Sequence, residues 1–170
     1  RNRLLCENRQ KIADELNIPS AFSEEGLSKY ELYRDNRDSL VQLIYRSFHE
    51  VDTVLKTNER IAMAELVVTG CWLEGLYLAT KALGKGPKTE QNKSLYKTIW
   101  EQKYYLNNIL MGLNEFKNDA FFQRLMTELE GVKWCYSSLA NPTELNESEA
   151  AKIGQKAELL RNRITDALLQ

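Results

Sequence analysis

The chain has little that breaks a helix: three prolines and eight glycines among 170 residues. A β-rich fold with many tight turns would need more of both. No stretch of strict polar–apolar alternation is flanked by the Asn-Gly or Asp-Gly pairs that close hairpins. There is one histidine, His49, so any Ser-His-Asp, Cys-His or multi-histidine metal site must use it. Its neighbours Glu50 and Asp52 do not make it a triad, because Glu50 and His49 do not share a helix face. His49 is therefore expected at a helix surface or between helices. Cysteine is scarce too: Cys6, Cys71 and Cys135 are odd in number, widely spaced and without a CxxC pair. That excludes a disulfide framework and a tetrahedral zinc site, and the thiols read as buried and reduced. Charge of one sign is also missing. Lys and Arg number 23 against 24 Asp and Glu, a net charge of −1. A field built to neutralise phosphates is not implied, which disfavours nucleic acid as a partner. The chain starts at Arg1 without the charged and apolar regions of a signal peptide, and the expectation is a fragment of a longer precursor.

What is present is helical. Apolar residues make up 43% and charged residues 28% of the chain, ordinary for a globular domain large enough to bury its own core. Leu5, Ile12 and Leu16 set a helix over about 2–16, stopped by Asn17-Ile18-Pro19-Ser20. Ser23 with Glu24 and Glu25 reads as a cap and acidic first turn of a short helix to about Arg34, burying Leu27, Tyr30 and Tyr33. From about 37 to 57, Leu40, Ile44, Phe48, Val51 and Leu55 form one apolar stripe. The segment from about 59 to 83 is apolar nearly all round, so it is expected at the centre, surrounded by other helices. Gly84-Lys85-Gly86-Pro87 is a loop. A helix over about 88–114 buries Leu95, Ile99, Leu106, Ile109 and Leu113. Another starts at Asn118-Asp119 and carries Phe122, Leu125, Leu129, Val132, Tyr136 and Leu139 as far as Asn141-Pro142. The last, capped by Asn146 or Ser148, places Ile153, Ala157, Leu160, Ile164 and Leu168 on one face. The reading is a single all-α domain over residues 1–170. Its architecture is a bundle of about six to seven mostly antiparallel helices around the central apolar one.

Most candidate motifs dissolve into structure. Ile61 to Ala79 approaches the length of a membrane span, but Glu65, Glu74, Gly70 and Gly75 inside it point to a core helix instead. Val68-Thr69-Gly70-Cys71 imitates a lipoprotein cleavage box but lies far from the start. Gly84-Lys85-Gly86-Pro87-Lys88-Thr89 lacks the spacing of a phosphate loop, and a helix rather than a strand precedes it. Trp100 and Trp134 stand at a tetratricopeptide-like spacing, but their flanking residues do not repeat.

One tract is informative. Gly70 and Gly75 inside the most apolar helix cost about 1 kcal/mol each, which predicts the close approach of another backbone. Gly70, Glu74, Tyr77 and Lys81 share one face. A carboxylate there must be paired or protonated. Two readings follow. Glu74 is a core carboxylate satisfied by a neighbouring helix, or it belongs to a small-molecule site between the helices near residues 59–83 and 88–114. That speculative site comprises Trp72, Glu74, Tyr77, Lys81 and Trp100. No catalytic residue, metal site or cofactor is assigned; a hydrolase or transferase would have to work through Glu74 carboxylate chemistry.

The run Gly70-Cys71-Trp72-Leu73-Glu74-Gly75-Leu76-Tyr77-Leu78-Ala79-Thr80 resembles the core of an uncharacterised helical family of predicted exported lipoproteins from Bacteroidetes. The similarity extends to Lys11 through Ile18, to Asp38-Ser39-Leu40 and to Glu101-Gln102-Lys103. The resemblance implies export and residence in the cell envelope, periplasmic or anchored at the outer membrane. It also implies a membrane tether through an N-terminal lipid on the full product. The lipidated cysteine is not Cys6, whose preceding Leu5 fills the small-residue position, and Cys71 stands where a small residue is expected. The family contributes no catalytic residue. The resulting expectation is a non-catalytic module that binds an unknown protein or small-molecule partner.

Overall fold

The computed structural model describes residues 11, 24–57, 59–84 and 86–167. The helix expected over 2–16 lies outside them apart from Lys11, as do the Ser23 cap, the Leu27 side chain, Cys6 and Leu168. The described residues are about 79% helical, in six α-helices and no strand. The chain is an all-α bundle.

Two units divide it, residues 1–64 and 65–170. In the first, α1 (Glu24–Leu32) and α2 (Arg37–Thr57) are tied by a 2.9 Å hydrogen bond from the Tyr30 hydroxyl to Ser47. Asn36 separates them and caps α2, its Oδ1 accepting the Ser39 N–H, so the residue that stops one helix starts the next. The end of α2 is a Schellman motif. Arg60 N–H bonds back to Leu55 O and Glu59 N–H to Lys56 O, with Glu59 at φ 57° where glycine is usual. The apolar stripe of α2 is only half covered: Val51 and Leu55 are buried, while Ile44 and Phe48 are exposed. His49 lies on the surface of this helix, its ring stacked with that of Tyr45.

α3 (Ile61–Leu83) passes from the first unit into the second. It is long and apolar enough to cross a membrane by length and composition, yet its inner residues Trp72, Leu73 and Leu76 belong to the core of the second unit. Gly84, at φ +66°, ends it. Around it lie α4 (Lys93–Leu113), a single 3-10 turn at Asn114–Phe116, α5 (Ala120–Trp134) and α6 (Glu147–Ala167). Their buried residues recur at helical spacing: Ile99, Leu106, Ile109 and Leu113 on α4; Leu125, Leu129 and Val132 on α5; Ile153, Ala157 and Leu160 on α6. Asp119 caps α5, its carboxylate accepting from the Phe121 and Phe122 N–H groups.

Several expectations need correction. α4 starts at Lys93, not near 88. Residues 87–92 are instead folded by Asn92, whose amide bonds Thr89 N–H and Pro87 O. Lys88, in the segment read as a loop, is tied down and not merely solvated. Its ammonium donates to the carbonyls of Pro142, Thr143 and Leu145, and its backbone N–H to Glu147. α5 ends at Trp134, and Tyr136 and Leu139 reach the core from the turns that follow. α3 is central but covered on its inner side only; Val68, Gly70, Cys71, Gly75 and Leu78 are exposed. Cys71 is thus not a buried thiol, and Cys135 is half-buried.

The glycines behave oppositely to the expectation. A Cβ at Gly70 or Gly75 would meet nothing within 4 Å. Close approach occurs at Gly112, where a Cβ would lie 2.5 Å from Glu65 Oε2, and at Gly154, 2.9 Å from Thr80 Cβ. These two let α4 and α6 close on α3. Helix composition shows where glycine is tolerated, but not which face meets a neighbour.

Candidate functional site

The tract on α3 that drew attention in the sequence faces α6. Residue numbers fall along α3 as they rise along α6: Lys81 pairs with Glu158 at 2.8 Å, and Glu74 with Arg161. The two helices therefore run antiparallel. Arg161 forks onto Glu74, its Nε 2.5 Å from Oε2 and its terminal nitrogen 3.3 Å from Oε1. The same guanidinium lies 4.7 Å from the centre of the Tyr77 ring, and the Lys81 ammonium lies 5.3 Å from it. Each carboxylate holds the proton on its partner more firmly, so the hydrogen bonds raise the pKa of Arg161 and of Lys81.

This array satisfies the demand that Glu74 be paired. It also leaves little for chemistry: two acids and two bases neutralise one another around one ring. With the side chains of Glu74 and Arg161 about 45% and 32% exposed, the pair is screened by water and holds the α3–α6 register only weakly.

The structure brings Glu74, Tyr77 and Lys81 together and sends Trp72 and Trp100 elsewhere. Both indoles are buried in the core. Trp100 donates its N–H to the Leu139 carbonyl at 3.2 Å. Among the described residues, the Trp72 N–H is buried without an acceptor.

Trp100 nevertheless leads to a concave surface. The Lys103 ammonium stands 3.8 Å from the Trp100 ring centre and donates to the same Leu139 carbonyl at 3.0 Å. Lys103 in turn forms one wall of an open cleft of about 560 Å³, lined also by Asn107, Glu130, Lys133, Trp134, Tyr136 and Ser137. Lys103 and Asn107 come from one face of α4, and Glu130, Lys133 and Trp134 from the last turn and a half of α5. The Tyr136 hydroxyl is spent on the Ile99 carbonyl, 3.1 Å away, so its ring is a fixed wall. Burial pushes that phenol far above its ordinary range.

The cleft differs from the α3–α6 seam in having groups to spare. Trp134 is 76% exposed. Among the described residues no hydrogen bond or ring contact engages its indole, and none engages the side chains of Asn107 and Ser137. Lys133 and Glu130 pair loosely at 3.4 Å. Nothing in the sequence marked this site. Trp134, the last residue of α5, lies two residues beyond the buried Val132, about 200° round the helix, so periodicity alone puts it on the outer face; what the sequence does not show is that this face borders a cleft. Among the described residues, no group of three or more His, Cys, Asp or Glu side chains is placed to hold a metal ion.

No family model, curated protein or solved structure matches the chain.

Proposed function

We propose that this chain is a non-catalytic helical module that acts by binding, and that its binding surface is the cleft between α4 and the end of α5. One observation carries the reading: an indole held in solvent at the lip of a concavity, with unengaged polar side chains beside it. Burying an aromatic of this size is worth about 2–3 kcal/mol. A side chain that forgoes this, within a cleft of about 560 Å³, has the character of a contact residue. The cleft stands on two helices and the turn after α5, which the Tyr136–Ile99 hydrogen bond fixes to α4, so it is formed before a ligand arrives.

Export and tethering by a lipid belong to the same proposal and rest on the resemblance of the Gly70–Thr80 core. Fractionating cells that carry the full-length product should place it in the envelope; recovery solely from the cytosol overturns this part. For the binding part, Trp134→Ala should abolish the fluorescence response to a ligand, while Glu74→Gln leaves it in place. The converse result would return the site to the α3 tract.

A further inference from the structure

Resting on that reading of the cleft, we infer that its ligand is a neutral saccharide, one ring of which stacks on Trp134. A pyranose presents a face of C–H groups and an edge of hydroxyls. The first needs a flat apolar surface open from one side, which the 76% exposed Trp134 ring offers. The second needs groups that both donate and accept. Asn107 and Ser137 line the cleft and do both.

Charge decides against an anion. Two cations line the cleft, but Lys103 is already directed at the Leu139 carbonyl and the Trp100 face, and Lys133 is paired with Glu130. A phosphate or carboxylate would meet the Glu130 carboxylate without a dedicated counter-charge. A wholly apolar ligand fits no better, because the cleft is open and would leave much of it wet. A neutral polyol ring satisfies the polar rim and loses little by remaining partly solvated.

The test uses the indole N–H resonances of the ¹⁵N-labelled chain, which has three tryptophans. The Trp134 signal is assigned by its loss in Trp134→Phe. Cellohexaose, maltohexaose and xylohexaose are titrated separately, with ATP and a mixed neutral peptide as comparisons. At least one saccharide should move the Trp134 signal and leave those of Trp72 and Trp100 in place. Trp134→Ala should weaken that binding about tenfold or more, as expected for loss of one stacked ring, and Asn107→Ala should weaken it less. Circular dichroism of both variants should be unchanged, since both residues are exposed. If ATP or the peptide moves the Trp134 signal and no saccharide does, the ligand class is wrong while the cleft stands. If a saccharide binds with Trp134 undisturbed, the cleft itself is wrong. Silence from every probe overturns the saccharide assignment.

Discussion

Trp72 and Trp100 show how two equally buried indoles differ. Each is 8% exposed, yet one N–H reaches the Leu139 carbonyl and the other reaches no acceptor. An unmet buried donor costs about 1–3 kcal/mol. Replacement of Trp72 by Phe removes that cost while losing packing area, so the two effects nearly cancel. Trp72→Phe should change stability by less than about 1 kcal/mol, whereas Trp100→Phe, losing both area and a hydrogen bond, should cost about 2 kcal/mol. Urea denaturation followed by circular dichroism reads both. At Glu74 the expected cost is small for a different reason. The Arg161 pair is half in water, and Glu74→Gln should destabilise by under about 1 kcal/mol. A larger loss in thermal denaturation would mean that the carboxylate is a buried structural anchor after all.

Among the helices, the glycines separate contact faces from open ones. Gly154 lets Thr80 come against α6, and Thr is stiff at χ1, so a methyl group 2.9 Å from its Cβ cannot be accommodated by rotation alone. Gly154→Ala should destabilise by about 1–3 kcal/mol. Gly70→Ala and Gly75→Ala, on the open side of α3, should each stabilise by about 0.5–1 kcal/mol, because alanine loses less backbone entropy and meets no neighbour. Melting temperatures of the three variants should thus move in opposite directions. A loss of stability at Gly70 or Gly75 would show that this face is covered.

Across the whole molecule, alkaline pH probes the core without mutation. Tyr136 is buried with its hydroxyl on a helix carbonyl, and burial raises its pKa above the ordinary 10.0. Tyr96 is raised in the same direction, by burial first and by Glu147 second. Above pH 10 the unfolded chain releases these protons while the folded chain keeps them. The unfolded state then binds fewer protons, so stability falls as pH rises. The contribution is fully present below pH 10, and its loss beyond that approaches about 1.4 kcal/mol per pH unit for Tyr136. Tyr136→Phe should flatten the decline between pH 10 and 11 in a thermal-shift series. An unchanged slope would show that other groups govern it.

The all-α class, four of the helices to within a few residues of both ends, and most of the core were legible in the sequence. Leu106, Ile109 and Leu113, or Leu125, Leu129 and Val132, must share a face wherever the backbone is helical, because helical geometry is local. The demand that Glu74 be paired assumes burial; Glu74 is about 45% exposed, so its contact with Arg161 follows from how α6 lies on α3 and not from the cost of an isolated charge. Which helix supplies the partner, which side of α3 is covered and what lies beside Trp134 were settled only in three dimensions. They depend on which faces meet across long stretches of chain, as Glu74 meets Arg161 and Thr80 meets Gly154. Apolar composition is the same whether a residue is covered or not. Periodicity along one helix carries no information about the rotation of the next, and it is that rotation which opens the cleft.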